Sequence, residues 1–380
     1  MPKSSIFIFV LLFLLSCTNA HRGTLVQRDF LPTKKSFSSE NATHQVTVSY
    51  TGCGGYWIDY DGKIILLDPF FSNFSIPTLL TRKLKSDTAT IDAYFQKRLG
   101  IKKDTAGRVA AILISHAHYD HLSDVPSLLQ RNLKPSSMAF FANQNTRNLL
   151  LPFRIPTLDA AQFINIEQPF ENDYLVHQNK PFETQKLENT RNYTTNALKK
   201  VRITPIPSEH AGHFKVLGKS FKAPFLEGTV PENNTKRPLK STDYKEGKNF
   251  NYYIDFLADD GTTILFRIFA NNGAGCNEGI GFPPETLLAQ KKIDLLLLCG
   301  ANYDTVKNYP DALLDYTQPN YVFINHWENF FKSIPSLQRR LKTVPAANIP
   351  KLLLHLKTKK TAPEHLILTL PLEEGVEFRF

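Results

Sequence analysis

An apolar run from Val109 to Ile114 passes directly into Ser115-His116-Ala117-His118-Tyr119-Asp120-His121, so four potential metal ligands crowd into six positions. Few folds can accommodate that. On an extended segment alternate side chains share a face, so His116 and His118 point to one side; a helical turn just afterwards would swing Asp120 and His121 towards a second position nearby. Desolvating three neighbouring histidines without an ion is costly. The segment therefore reads as a strand that ends in a metal rim, not as a polar surface loop. Imidazole and carboxylate are ligands expected for Zn2+, in one or two ions, and less exclusively for Mn2+ or Fe2+.

The flanking sequence supplies strands and helices for such a rim. Gln45 to Tyr50 alternates like a half-buried strand, and Tyr56 to Tyr60, Asp61-Gly62, then Lys63 to Leu67 reads as a tight hairpin. A second hairpin, Tyr252 to Phe256 and Thr262 to Phe269 around Asp260-Gly261, echoes the first and suggests two related β-rich halves. Further short strands are expected at Met138 to Ala142, Val201 to Ile206, Leu295 to Cys299 and Tyr321 to Ile324. Helix-like spacing marks Leu79 to Leu99, Ser123 to Leu133, Glu285 to Lys291 and Ser333 to Leu341. The alternation predicts an α+β domain in which two sheets pack face to face with helices outside. Leu79 to Asp104 and Glu171 to Lys199 look like insertions on that plan.

On these motifs the chain resembles the metallo-β-lactamase superfamily from about residue 45 to 330, in particular its branch of ascorbate-phosphate lactonases and N-acylethanolamine phospholipases. The resemblance implies a four-layer αββα sandwich with the ligands on loops at one rim. It matches Asp68, in Leu66-Leu67-Asp68-Pro69-Phe70, to an aspartate that hydrogen-bonds behind the ligands. His116, His118 and His210 correspond to the first metal's ligands, and Asp120, His121 and His326 to the second's. Where many relatives carry a bridging aspartate, this chain reads Ala270-Asn271-Asn272-Gly273, and Asn272 is the best match by register. A neutral amide bridges metals poorly, although the Asn272 carbonyl oxygen could still contact one metal as a ligand, with Asn271 the fallback; the departure weakens the phosphodiesterase analogy and leaves room for ester, lactone or amide hydrolysis.

The mechanism so implied is a hydrolase that uses metal-bound hydroxide, since a metal lowers the pKa of bound water to about 7. Asp120 is the candidate catalytic residue, holding the second metal and able to accept or pass on the proton. Asp68 would fix the tautomer of a ligand histidine, and His213 would touch either substrate or a ligand's partner. A non-catalytic metal-binding envelope protein with the same fold is the alternative. Cys276 reads as a buried thiol, His177, His355 and His365 as structural, and Gly54 and Gly55 as a tight turn. Phe70, Phe71, Phe74, Trp327 and Phe330 flank the motif loops and hint at a lipid-like substrate, although a core role fits them equally.

Charge and the N-terminus bear on location and partners. Lys plus Arg number 45 against 35 Asp plus Glu. The excess is scattered in short pairs such as Lys102 and Lys103, with no nucleic-acid motif, so a small-molecule or lipid-like substrate is expected and no nucleic acid. Lys3 followed by the apolar run Ile6 to Leu15 reads as a signal peptide over residues 1–20, and the run itself is too short to span a bilayer. Leu14-Leu15-Ser16-Cys17 resembles a lipobox, implying membrane attachment through a lipid on Cys17, while cleavage after Ala20 would release a secreted protein. Residues 21–43 read as a linker and 44–380 as the folded domain.

Overall fold

The computed structural model describes residues 36–380, except 135–137, 156–162, 168–199, 217–218, 277–279, 340, 346 and 362. Two mixed sheets face each other. The first is built from β1 Ser36–Ser38, β2 Gln45–Gly52, β3 Gly55–Tyr60, β4 Lys63–Leu67, β5 Val109–Leu113, β6 Ala139–Ala142, β7 Phe163–Asn165 and β16 Val376–Arg379. These eight strands run in the order β1-β16-β2-β3-β4-β5-β6-β7. The second is built from β8 Val201–Ser208, β11 Asn249–Leu257, β12 Ile264–Asn271, β13 Leu295–Cys299, β14 Tyr321–Asn325 and β15 His365–Ile367. Its six strands run in the order β15-β14-β13-β12-β11-β8. A small ribbon of β9 Phe214–Val216 and β10 Lys219–Phe221 lies apart.

The repeat suggested by the two hairpins is present as topology. In the first sheet β3 and β4 are antiparallel, and β5, β6 and β7 then add in parallel. In the second, β11 and β12 are antiparallel and β13, β14 and β15 add in parallel. The β3–β4 turn places Asp61 at φ 49° and Gly62 at φ 72° while Tyr60 pairs with Lys63, the two-residue geometry whose twist matches the strands. Pro205 and Pro207 fall in β8, where an edge strand tolerates their missing N–H groups.

Alternation along the strands builds the layers. Tyr56, Ile58, Ile65, Leu67 and Leu113 of the first sheet share one core with Ile203, Tyr252, Ile254, Ile268 and Phe323 of the second. Their neighbours Trp57, Ile64, Leu66 and Ile112 face the other way, onto Ile91, Tyr94 and Phe95 of the helix Thr88–Leu99. The run Leu295 to Leu298 is wholly buried, as a parallel strand covered on both faces must be. Its cover comes from Leu313 and Leu314 of the helix Asp311–Thr317 and Leu352 and Leu356 of the helix Ile349–Thr358. The architecture is the expected αββα sandwich.

Some boundaries differ from those expected of the sequence. Strand β1 lies inside the segment 21–43 read as a linker and pairs in parallel with β16, so sheet structure starts before His44. The single helix expected over Leu79 to Leu99 is two, Ile76–Thr81 and Thr88–Leu99, because Arg82 turns extended and Asp87 caps the second through Thr90 N. The helices Gln144–Leu150 and Asp311–Thr317 are too short for periodicity to mark, whereas Ile349–Thr358 buries Ile349, Leu352, Leu353 and Leu356 at helical spacing that the expected elements above leave out. Residues 1–20 and the insertion at 171–199 lie outside the described residues.

Candidate metal centre

The predicted ligands converge where β4, β5, β8, β12 and β14 end. Strand β5 stops at Leu113, and the six-stranded sheet pins the next two residues: Tyr252 Oη donates to Ile114 O at 2.7 Å and Phe250 N to Ser115 O at 2.9 Å. His118 then sits as N-cap of the helix Tyr119–Leu122, which carries Asp120 and His121. His210 comes just after β8, and His326 just after β14 at φ 49°. Behind them Asp68, fully buried at the end of β4, collects four donors: Ser115 N at 2.7 Å, Ser115 Oγ at 2.5 Å, His121 Nδ1 at 2.9 Å and Asn272 Nδ2 at 2.6 Å.

These contacts set the histidine tautomers. Ser115 Oγ spends its proton on Asp68 and so accepts from His116 Nδ1 at 3.0 Å. His121 Nδ1 donates to Asp68, His210 Nδ1 to Ala211 O at 2.6 Å and His326 Nδ1 to Asn325 Oδ1 at 2.9 Å. In His116, His121 and His210 the neutral ring carries its proton on Nδ1, which leaves the Nε2 lone pair for the centre; His326, whose pKa is pushed up to about 10, gives up its Nε2 proton on binding an ion. The Nε2 atoms of His116 and His118 are buried with no hydrogen-bond partner among the described residues. Buried polar atoms are ordinarily satisfied, so a divalent ion fits the set. The donor atoms of His116, His118 and His210 lie within 4.8 Å of one another.

A second cluster forms beside the first. His121 Nε2 lies 3.7 Å and His326 Nε2 3.8 Å from Asp120 Oδ2. Burial opposes ionisation of Asp120, but His121, His326 and His118 outweigh it and hold the carboxyl well below its usual range. Cys53, at the β2–β3 turn, joins Asp120 and His326 with all three donor atoms within 4.8 Å. Sequence reasoning does not connect Cys53 with the site, because nothing local marks a lone cysteine in a turn.

Glu246 is likewise invisible to it. Its Oε1 accepts from Asn249 Nδ2 at 2.7 Å, while Oε2 is buried and unpartnered among the described residues, 3.8 Å from His118 Nε2. His213 stands next to it but has the opposite tautomer: its Nδ1 accepts from Ala223 N at 3.0 Å, so the neutral ring carries its proton on Nε2. That makes His213 a hydrogen-bond donor at the rim. Burial pulls the pKa of His116, His118, His210 and His213 below the ordinary histidine value.

Asn272 occupies the expected place with a definite orientation. Its Nδ2 donates to Asp68 Oδ2 and, at 2.8 Å, to Gly54 O, both pure acceptors, and its Oδ1 accepts from Asn325 Nδ2 at 2.8 Å. The amide is thus committed to protein partners and supports His326 through Asn325. Cys276 donates to Gly281 O at 3.0 Å, away from the ligand clusters. Gly54 fits its turn reading more tightly than expected, since an added Cβ would sit 2.8 Å from His121 Cε1 and 2.9 Å from His326 Cε1. Phe70, Phe71, Phe74, Trp327 and Phe330 are all buried, so none offers an exposed ring to a lipid-like ligand. His355 pairs with Asp311 and His365 stacks on Tyr321, both away from the centre, and His177 lies outside the described residues.

Part of the chain is similar in sequence to known proteins. Residues 63–222 match the family model of the beta-lactamase superfamily domain, a segment that includes Asp68, His116, His118, Asp120, His121 and His210. The architecture is the metallo-β-lactamase fold. A UPF0173 metal-dependent hydrolase from Bacillus cereus is 30% identical over 118 residues, 31% of this chain and 36% of that protein. The chain thus spans about a third of the curated relative's length. Among solved structures, Igni18, a metallo hydrolase from Ignicoccus hospitalis, is similar with a TM-score of 0.45 and 14% identity, covering 88% of this chain and 99% of its own. An isothiocyanate hydrolase from Delia radicum gut bacteria gives a TM-score of 0.44 at 11% identity, with coverage of 88% and 99%.

Proposed function

We propose that this protein is a metal-dependent hydrolase, with zinc the leading ion, acting on an ester, lactone, amide or phosphodiester of a small or lipid-like molecule. The observation that carries the reading is the pair of buried, unpartnered Nε2 atoms on His116 and His118, in rings whose neighbours hold their protons on Nδ1. A divalent ion held there supplies a Lewis acid and brings the pKa of coordinated water to about 7. Asp120 and the free Oε2 of Glu246 are placed to accept a proton from the nucleophile or return it to the leaving group. His213, donating from Nε2, would orient the substrate oxygen that gains negative charge. Asp68 and Asn272 hold the ligands and take no proton in this scheme.

A resemblance to ascorbate-phosphate lactonases and N-acylethanolamine phospholipases, carried by the His-x-His-x-Asp-His run, supports a small or lipid-like substrate. Export through residues 1–20, with a lipid on Cys17 or cleavage after Ala20, is part of the same proposal and puts the activity in the cell envelope or outside the cell. No helix of the described residues is long and apolar enough to cross a membrane. The test is elemental analysis of protein never exposed to chelator, followed by a panel of chromogenic esters, lactones, amides and phosphodiesters. One to two ions per chain and turnover on one class are expected. A metal content near zero would overturn the reading, and metal without turnover on any class would favour a non-catalytic metal-binding protein.

A further inference from the structure

We propose that Cys53 is a thiolate ligand of the second metal, completing a four-residue set with Asp120, His121 and His326. The inference rests on the metal-dependent reading above and goes beyond it by naming a donor outside the histidine and aspartate set described so far. Its first support is convergence: the Cys53 Sγ, an Asp120 carboxylate oxygen and a His326 ring nitrogen lie within 4.8 Å of one another, and His121 Nε2 is 3.7 Å from the same carboxylate. Two zinc ligands at about 2.0–2.1 Å in tetrahedral geometry stand roughly 3.4 Å apart. The observed 3.8 Å between His326 Nε2 and Asp120 Oδ2 needs only a small closure.

The second support is that the turn carrying Cys53 is built onto His326. Cys53 takes φ 51°, a conformation unfavourable to a side-chain-bearing residue, and its backbone is fixed on both sides. Cys53 N donates to the buried Glu328 Oε1 at 2.8 Å, and Cys53 O accepts from Tyr50 Oη at 2.8 Å and from His326 N at 2.8 Å. The two residues are thus joined directly through their backbones. The third support is the contrast with the other cysteines. Cys276 Sγ donates to Gly281 O and Cys299 Sγ to Ala301 O, whereas the buried Cys53 Sγ makes no hydrogen bond among the described residues.

A thiolate here also resolves the charge problem left by Asn272. Asp120 and a Cys53 thiolate together balance one dication without a bridging carboxylate. On binding, the Cys53 S–H bond breaks, its proton leaves to solvent, and a metal–sulfur bond forms. Cys53 adds an anionic donor to the second position, while His116, His118 and His210 give the first position three ligands and an opening, which is the pattern of catalytic sites.

The experiment is reconstitution of the metal-free protein with Co2+, read by optical spectroscopy and by metal-edge X-ray absorption. The wild-type protein should show a thiolate-to-cobalt charge-transfer band and one sulfur in the averaged first coordination sphere. Cys53→Ser should lose both and bind the second ion at least about 100-fold more weakly in chelator competition. Cys276→Ala should keep all three. Cobalt bound without sulfur in the wild type, or a band that survives in Cys53→Ser, would overturn the assignment and leave the hydrolase reading standing. No cobalt binding at all would overturn both, and a sulfur band without turnover on any substrate class would overturn only the hydrolase. If Cys53→Ser fails to fold, Cys299→Ala, which removes the other thiol near the site, 3.8 Å from His326 Nδ1, must keep the band and the sulfur; their loss there would overturn the assignment.

Discussion

Replacing Asp68 by Asn tests how the centre is held together, because the variant keeps the side chain's shape and changes only what its atoms can do. Oδ1 accepts from Ser115 N alone, while Oδ2 accepts from Ser115 Oγ, His121 Nδ1 and Asn272 Nδ2. An amide has one acceptor oxygen. Facing that oxygen towards the three donors turns the new NH2 against Ser115 N–H and strands a buried donor, at about 1–3 kcal/mol. The three remaining bonds lose charge assistance, about 1 kcal/mol each. Relief of the desolvation cost of a buried carboxylate offsets part of this. A net loss of about 2 kcal/mol is expected in urea unfolding of the metal-free protein. Metal affinity should fall by about 10- to 100-fold in chelator competition, as for other groups that orient ligands from behind. An unchanged unfolding midpoint together with unchanged affinity would refute the view that Asp68 organises the ligands.

His118→Ala and His121→Ala should each abolish turnover with secondary structure retained, whereas His355→Ala, which removes an exposed pair with Asp311, should leave activity intact and cost under about 1 kcal/mol; circular dichroism and a rate assay check this. Asn272→Asp should destabilise the metal-free protein, because it sets a carboxylate against Asp68 Oδ2 and Gly54 O where an NH2 now donates; a thermal melt at or above the wild-type midpoint would contradict that orientation. Stability of the metal-free protein should fall as pH drops below about 6.5. His116, His118, His210 and His213 have folded pKa values below the unfolded one, so the unfolded chain binds more protons there. His326 works in the other sense: burial would lower its pKa, but Cys299 and Asp120 push it up to about 10, so its contribution is present below its ordinary value and lost as pH rises towards 10. Urea midpoints between about pH 5 and 8 that are flat or rise towards acid would contradict the neutral histidine cluster.

Much of this molecule was legible one segment at a time. His116, His118, Asp120 and His121 are adjacent in the chain, so strand periodicity and one helical turn sufficed to set them on a common rim. The hairpins with their Asp-Gly turns, and the apolar runs at Val109 and Leu295, announced two sheets for the same local reason. Joining His210 and His326 to the rim took the family resemblance, since nothing in their own neighbourhoods singles them out. Tertiary structure alone decided the rest. That His213 is a donor and His210 a ligand turns on whether Nδ1 meets Ala223 N or Ala211 O. That Asn272 faces Asp68 and Gly54 depends on partners 204 and 218 positions away. Cys53 and Glu246 entered the site only because the β2–β3 turn and the segment before β11 fold onto its two sides. A sequence displays the chemistry its residues can perform, but proton positions and ligand sets depend on which distant atoms lie within about 3 or 4 Å, and packing fixes those distances.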